Sequence, residues 1–126
     1  MSRTTRDGTD PEAELARLHS LRERIDEVDR RIVDLLNERA RLTRGVGDVK
    51  WRLRRPIRDA VREREVLLRA SMANAGPTPQ ADLLAIFRRL IAAARALEGR
   101  ERERLRAGLP PREPDDPGSG ASSGGS

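Results

Sequence analysis

Apolar residues recur along the first half of the chain at Leu18, Ile25, Val28, Ile32, Leu35, Leu42, Val46, Val49 and Leu53, with mostly charged residues between them. That spacing is helical, and no proline interrupts it before Pro56. Asp10-Pro11-Glu12 supplies a start, with a capping side chain, a proline at the first helical position and an acid in the first turn. Gly45 and Gly47 weaken the run without ending it. The pattern predicts a first helix over about residues 11–53, roughly 60 Å long at ~1.5 Å per residue. A second helix fits Asp59 to about Ala73, with Val61, Leu68 and Met72 on one face. The stretch "NAGPTP" is a break, and Thr78-Pro79 is expected to cap a third helix. Leu83, Phe87, Leu90, Ala94 and Leu97 form its stripe, which extends toward Leu105. No strand pattern and no internal repeat interrupts this reading.

The fold class is therefore all-α, with three helices per chain, one of them very long. A helix of about 60 Å is roughly twice the diameter of a small domain, and two shorter helices cannot cover its stripe. A second copy of the chain is the natural cover, so the expected architecture is an intertwined homodimeric helical bundle. A coiled-coil rod competes, but the two further amphipathic helices argue against it.

Composition narrows the partners. The chain has 126 residues, enough for one domain. Its ends are polar and rich in glycine, serine and proline, which leaves little apolar surface to offset ordering. The expected organisation is a disordered N-terminus over 1–10, a helical domain over 11–106 and a disordered tail over 107–126. No apolar run resembles a signal peptide or a membrane span, and there are no cysteines. A cytoplasmic protein is the expected setting. The net charge of +5 points to nucleic acid or a small anion as partner. The signs interleave at helical spacing, which is ordinarily a solvated, ion-paired face. No aromatic residues are interleaved for stacking on bases, so nucleic acid is the weaker of the two.

Some charges sit where a solvated face does not put them. Arg39 lies between Leu35 and Leu42 on the first stripe, and Lys50 lies beside Val49 and one turn after Val46. Eleven residues separate Arg39 from Lys50, about three turns, so both point the same way. Arg22 lies about 100° around the helix from Arg39; from spacing alone it reads as a surface arginine. Asp59 and Glu63 share a face of the second helix, where Asp59 is equally a cap and Glu63 equally a surface partner for Arg62, Arg64 or Lys50. Glu98 continues the stripe of Phe87, Ile91 and Ala94, where a carboxyl group is costly unless paired; Lys50 is its candidate partner. Lys50 is also the sole lysine in a chain with 26 basic residues. Trp51 reads as a packing residue, and His19 has no nearby metal-ligand partner and no nucleophile to activate.

The stretch "LRERIDEVDRRIVDLLNERARLTRGVGDVKWRLRRPIRDAVREREVLL" resembles the all-helical class of chorismate mutases. The matching blocks are Leu21-Arg22-x-x-Ile25-Asp26-x-x-Asp29, Leu35-Leu36-x-x-Arg39, Val46-Gly47-x-x-Lys50, Arg55-Pro56-Ile57-x-Asp59 and Arg62-Glu63. The resemblance implies a [3,3] rearrangement of chorismate to prephenate without metal or cofactor. It implies that Arg39 and Arg22 of the partner subunit hold the two substrate carboxylates. Lys50 would contact a carboxylate and the ether oxygen of the breaking bond. Asp59, through its backbone, and Glu63, through its side chain, would hold the ring hydroxyl, and Arg62 would reinforce the positive field. A compact ammonium suits the developing charge on one oxygen better than a planar fork.

The third helix departs from the family pattern. Where the family often has serine and then glutamine four residues on, this chain has Ala94 and Glu98. Ala94 donates nothing, and Glu98 donates to the ether oxygen only when protonated; some family members carry glutamate there. Sister activities on the same fold are isochorismate pyruvate-lyase and a mutase for the 4-amino analogue of chorismate. The acidic pair Asp59 and Glu63 argues against both.

Overall fold

The structure, a computed structural model, describes residues 10–112. It is all-α: α1 spans Pro11–Arg52, α2 Ala60–Ala73 and α3 Gln80–Arg106, with no strand among the described residues. The three helices and the two breaks between them lie where periodicity and the prolines put them. No helix among the described residues is long and apolar enough to cross a membrane. The stretches 1–9 and 113–126, where disorder was expected, lie outside the described residues.

Two compact units divide within α1, between Asn37 and Glu38. The first holds the start of α1. The Glu12 amide donates to Asp10 Oδ1 at 3.1 Å, the cap that the sequence suggests. From Pro11 to Asn37 every residue is exposed, the stripe of Leu18, Leu21, Ile25, Val28 and Ile32 included. None of the described residues of this unit covers that stripe.

The second unit holds the rest of α1 with α2 and α3. Among its described residues the buried apolar side chains are Ala70, Ile91 and Leu105, and three acids, Asp48, Glu98 and Glu101, are buried as well. Oil alone therefore does not hold this unit together. Glu101 pairs with Arg104 at 2.7 Å and with Arg112 at 3.3 Å, so the segment after α3 is tied back to it. Leu42, Val46, Val49, Leu53 and Val61 stay exposed and line a cleft of about 870 Å³.

The helix ends are closed in different ways. After α1 the Arg55 amide donates to the Lys50 carbonyl at 2.8 Å and the Arg54 amide to the Trp51 carbonyl at 3.1 Å. This paired closure needs a left-handed residue, usually glycine; here it is Arg54, at φ 57. The same pattern closes α3, where the left-handed residue is Gly108, at φ 83. Asp59 caps α2 by accepting from the Arg62 amide at 3.0 Å. Of the expected Thr78-Pro79 cap of α3, Pro79 holds the cap position, with no side-chain capping bond. Polar side chains tie the α2–α3 connection instead. The Asn74 amide group donates to the Thr78 carbonyl at 3.0 Å and to Gln80 Oε1 at 2.7 Å. Gln80 in turn reaches back to the carbonyl and hydroxyl of Ser71.

A left-handed conformation costs a β-carbon-bearing residue on the order of 1 kcal/mol. Arg54→Gly is expected to stabilise the chain by up to about 0.5 kcal/mol after its looser unfolded state is counted, read as a rise of a few degrees at most in thermal midpoint.

Candidate functional site

A cavity of about 470 Å³ opens within the second unit, its wall formed by the last turns of α1, the loop after it, α2 and α3. That volume suits a small ligand. Six of the seven charged residues singled out in the sequence line it: Arg39, Lys50, Asp59, Arg62, Glu63 and Glu98. Arg22 is not among them and stands exposed in the first unit.

Lys50 is the centre of the polar wall. Its Nζ donates to the Ile57 carbonyl at 2.6 Å and lies 2.8 Å from Glu98 Oε1. The side chains of Lys50 and Glu98 are 17% and 8% exposed, so both charges are largely out of water. The contact with Glu98 misses hydrogen-bond alignment, leaving Oε1 buried without an aligned donor; the pair is held by charge. Gly47 faces Glu98, whose Cγ lies 3.5 Å from where a β-carbon on residue 47 would stand, an ordinary van der Waals separation. The glycine that weakened the helical pattern is thus where α3 comes close to α1.

An ammonium has three donors, of which one is committed to Ile57 and one turns toward Glu98. The third remains for an acceptor in the cavity. Arg39 has no hydrogen bond or ion pair among the described residues. Arg62 reaches only Glu65, at 3.8 Å on the exposed surface. Arg39 is therefore the uncommitted cation of the wall, and together with Lys50 it gives an anion two points of attachment. Asp59 both caps α2 and lines the cavity, so the two readings of that residue coexist.

Sequence reasoning missed several contributors. Glu63 pairs with Arg95 of α3, through Nε to Oε2 and Nη2 to Oε1, both at 2.8 Å. It does not pair with Arg62, Arg64 or Lys50. The Arg102 guanidinium donates to the Arg55 carbonyl at 2.6 Å and so fixes the loop that carries Ile57. Asp48 is buried with Oδ1 unpaired. Residues 95 and 102 belong to an arginine-rich helix in which spacing marks no single arginine as special. Only the observed phase of α3 against α2 and the loop selects them.

Known proteins resemble this chain over the same region. The family description "chorismate mutase type II" matches residues 21–99. A bifunctional chorismate mutase/prephenate dehydratase of Aquifex aeolicus is 39% identical over 85 residues, covering 64% of this chain and 24% of the relative. Its namesake in Stutzerimonas stutzeri is 36% identical over 91 residues, covering 68% of this chain and 25% of the relative. The chain thus spans about a quarter of the length of these relatives. Among solved structures, form II of the chorismate mutase of Thermus thermophilus aligns with a TM-score of 0.65 at 36% identity. That alignment covers 67% of this chain and 96% of the other.

Removing one member of a buried ion pair strands the other charge, at a cost of about 3 kcal/mol. Lys50→Met is expected to destabilise the chain by roughly that amount. Adding Glu98→Leu should restore most of it, a coupling that a double-mutant cycle in urea measures at fixed protein concentration.

Proposed function

The chain belongs to the chorismate mutase type II family, and from that premise we propose that it rearranges chorismate to prephenate as a cytoplasmic homodimer. The observation that carries this reading is the Lys50 ammonium, anchored at 2.6 Å on the Ile57 carbonyl and lining one cavity with the unpaired Arg39. The reaction breaks an allylic C–O bond and forms a C–C bond in one cyclic array, so no nucleophile and no proton transfer are required. A protein accelerates it in two ways. It holds the dianion in its compact reactive conformer, and it fixes positive charge where the bridging oxygen gains negative charge.

Arg39 takes one substrate carboxylate, and Arg22 of the partner subunit takes part in holding the two. Lys50 spans a carboxylate and the ether oxygen. Glu63 accepts the ring hydroxyl, Asp59 contributes through its backbone, and Arg62 adds to the positive field. The second chain is motivated by the exposed stripe of α1 and by the apolar cleft at Leu42, Val46 and Val49. Burying a leucine or valine contributes about 1.5–3 kcal/mol, so pairing these faces is a large gain. Glu98, beside Lys50 on the cavity wall, faces the ether oxygen, to which it donates only in its protonated form.

A turnover assay with chorismate, isochorismate and the 4-amino analogue side by side tests the reaction; consumption of chorismate in strong preference to the other two is expected. Lys50→Arg should lower kcat by about 10²-fold or more. Mixing Arg22→Ala chains with Lys50→Ala chains should restore one working site per mixed dimer, and no recovery counts against shared sites. Glu98→Gln has a permanent N–H donor toward the ether oxygen, so it should keep or raise kcat, whereas Glu98→Ala should lower it by about 10²-fold; equal rates in parent and both variants remove Glu98 from the role.

A further inference from the structure

Glu63 and Arg95 line the same cavity as Lys50, and the family resemblance gives residue 95 no role. We propose that Arg95 is a specificity-determining residue: it makes Glu63 a neutralised acceptor, suited to a ligand hydroxyl and unsuited to an ammonium. This inference rests on the reading that Glu63 meets the substituent of the substrate ring.

The pairing is a two-pronged fork. Nε and Nη2 of Arg95 each donate to a different oxygen of Glu63, both at 2.8 Å. Each carboxylate oxygen accepts about two hydrogen bonds, so one acceptor site on each oxygen remains after Arg95 has bound. Acceptor capacity is kept while net charge is cancelled. A hydroxyl needs only an acceptor. The 4-amino analogue, an allylic amine protonated at neutral pH, needs a counter-charge and meets a guanidinium already there.

The neighbouring charges on balance supply no such counter-charge: against the carboxylates of Asp59, which also caps α2, and of Glu98, the wall carries Arg39, Lys50 and Arg62 besides Arg95. An ammonium on the far side of Glu63 would lie roughly 5 Å from the guanidinium, close enough for appreciable repulsion. Like charges at that distance, partly screened because Arg95 is 41% exposed, change an affinity by about tenfold. Arg95 also holds the Glu63 rotamer. Loss of that support would lower the turnover of both compounds, whereas loss of the cancelled charge changes their ratio.

The test compares kcat/KM for chorismate and its 4-amino analogue in the 126-residue parent chain, Arg95→Leu, Arg95→Gln and Arg95→Lys, each checked for helicity by circular dichroism. Both neutral replacements should raise the amine-to-hydroxyl ratio by about tenfold, whatever happens to the absolute rates. Arg95→Lys, which keeps the charge and loses the fork, should leave the ratio within about twofold of the parent while the rates fall. Arg95→Gln keeps length and one donor, and decides the matter if the leucine variant does not fold. An unchanged ratio in the neutral variants overturns the proposal and leaves Arg95 as a prop for Glu63. If the parent rearranges neither compound, the mutase reading falls, and the same ratio taken from calorimetric affinities decides Arg95. Binding of neither overturns both.

Discussion

One ammonium joins three parts of the second unit. Lys50 sits on the last turn of α1, donates to the Ile57 carbonyl in the loop and lies against Glu98 of α3. The Arg55 amide closes on the Lys50 carbonyl, so the same residue ends its helix through its backbone and fastens the loop through its side chain. With few apolar residues buried, such polar ties set where the helices lie. Low-dielectric surroundings make the tie strong when complete and costly when broken. A group that must be held this firmly is also one that needs no reorganisation when charge develops beside it.

Much of this was legible in the sequence because it depends on phase along a single helix. Arg39 and Lys50 share a face of α1 by counting alone, and Asp59 and Glu63 share a face of α2. Glu98 was identifiable as a carboxylate on an apolar stripe. Contacts between helices were legible only where burial forced them: a carboxylate on a core face needs a cation, and Lys50 was near. Arg95 gave no such signal. Its neighbours Ala94 and Ala96 are small, it stands among many arginines, and its pairing depends on how α3 is rotated against α2. The left-handed Arg54 was hidden for a different reason. The usual mark of that position is glycine, and this chain closes α1 without one.

The cavity and the apolar cleft are not independent. Leu42, Val46, Lys50 and Asp59 line both. The apolar seam of α1 continues through Leu35 and Leu42, and Arg39 stands between them where another apolar residue would fit the spacing. The seam therefore gives up one apolar position at the place where the cavity has its uncommitted cation. A substitution that improves the seam there removes the charge an anion would use, so gain in association and gain in ligand affinity oppose each other at this residue.

The scarcity of lysine has a chemical corollary. Arginine supplies every basic side chain but one, so the chain carries a single side-chain primary amine, and that amine lines the cavity wall between a carbonyl and a carboxylate. Acylating and reductively alkylating reagents thus have one internal address. Occupancy of the cavity becomes legible as protection of one atom, without a label having to be engineered in.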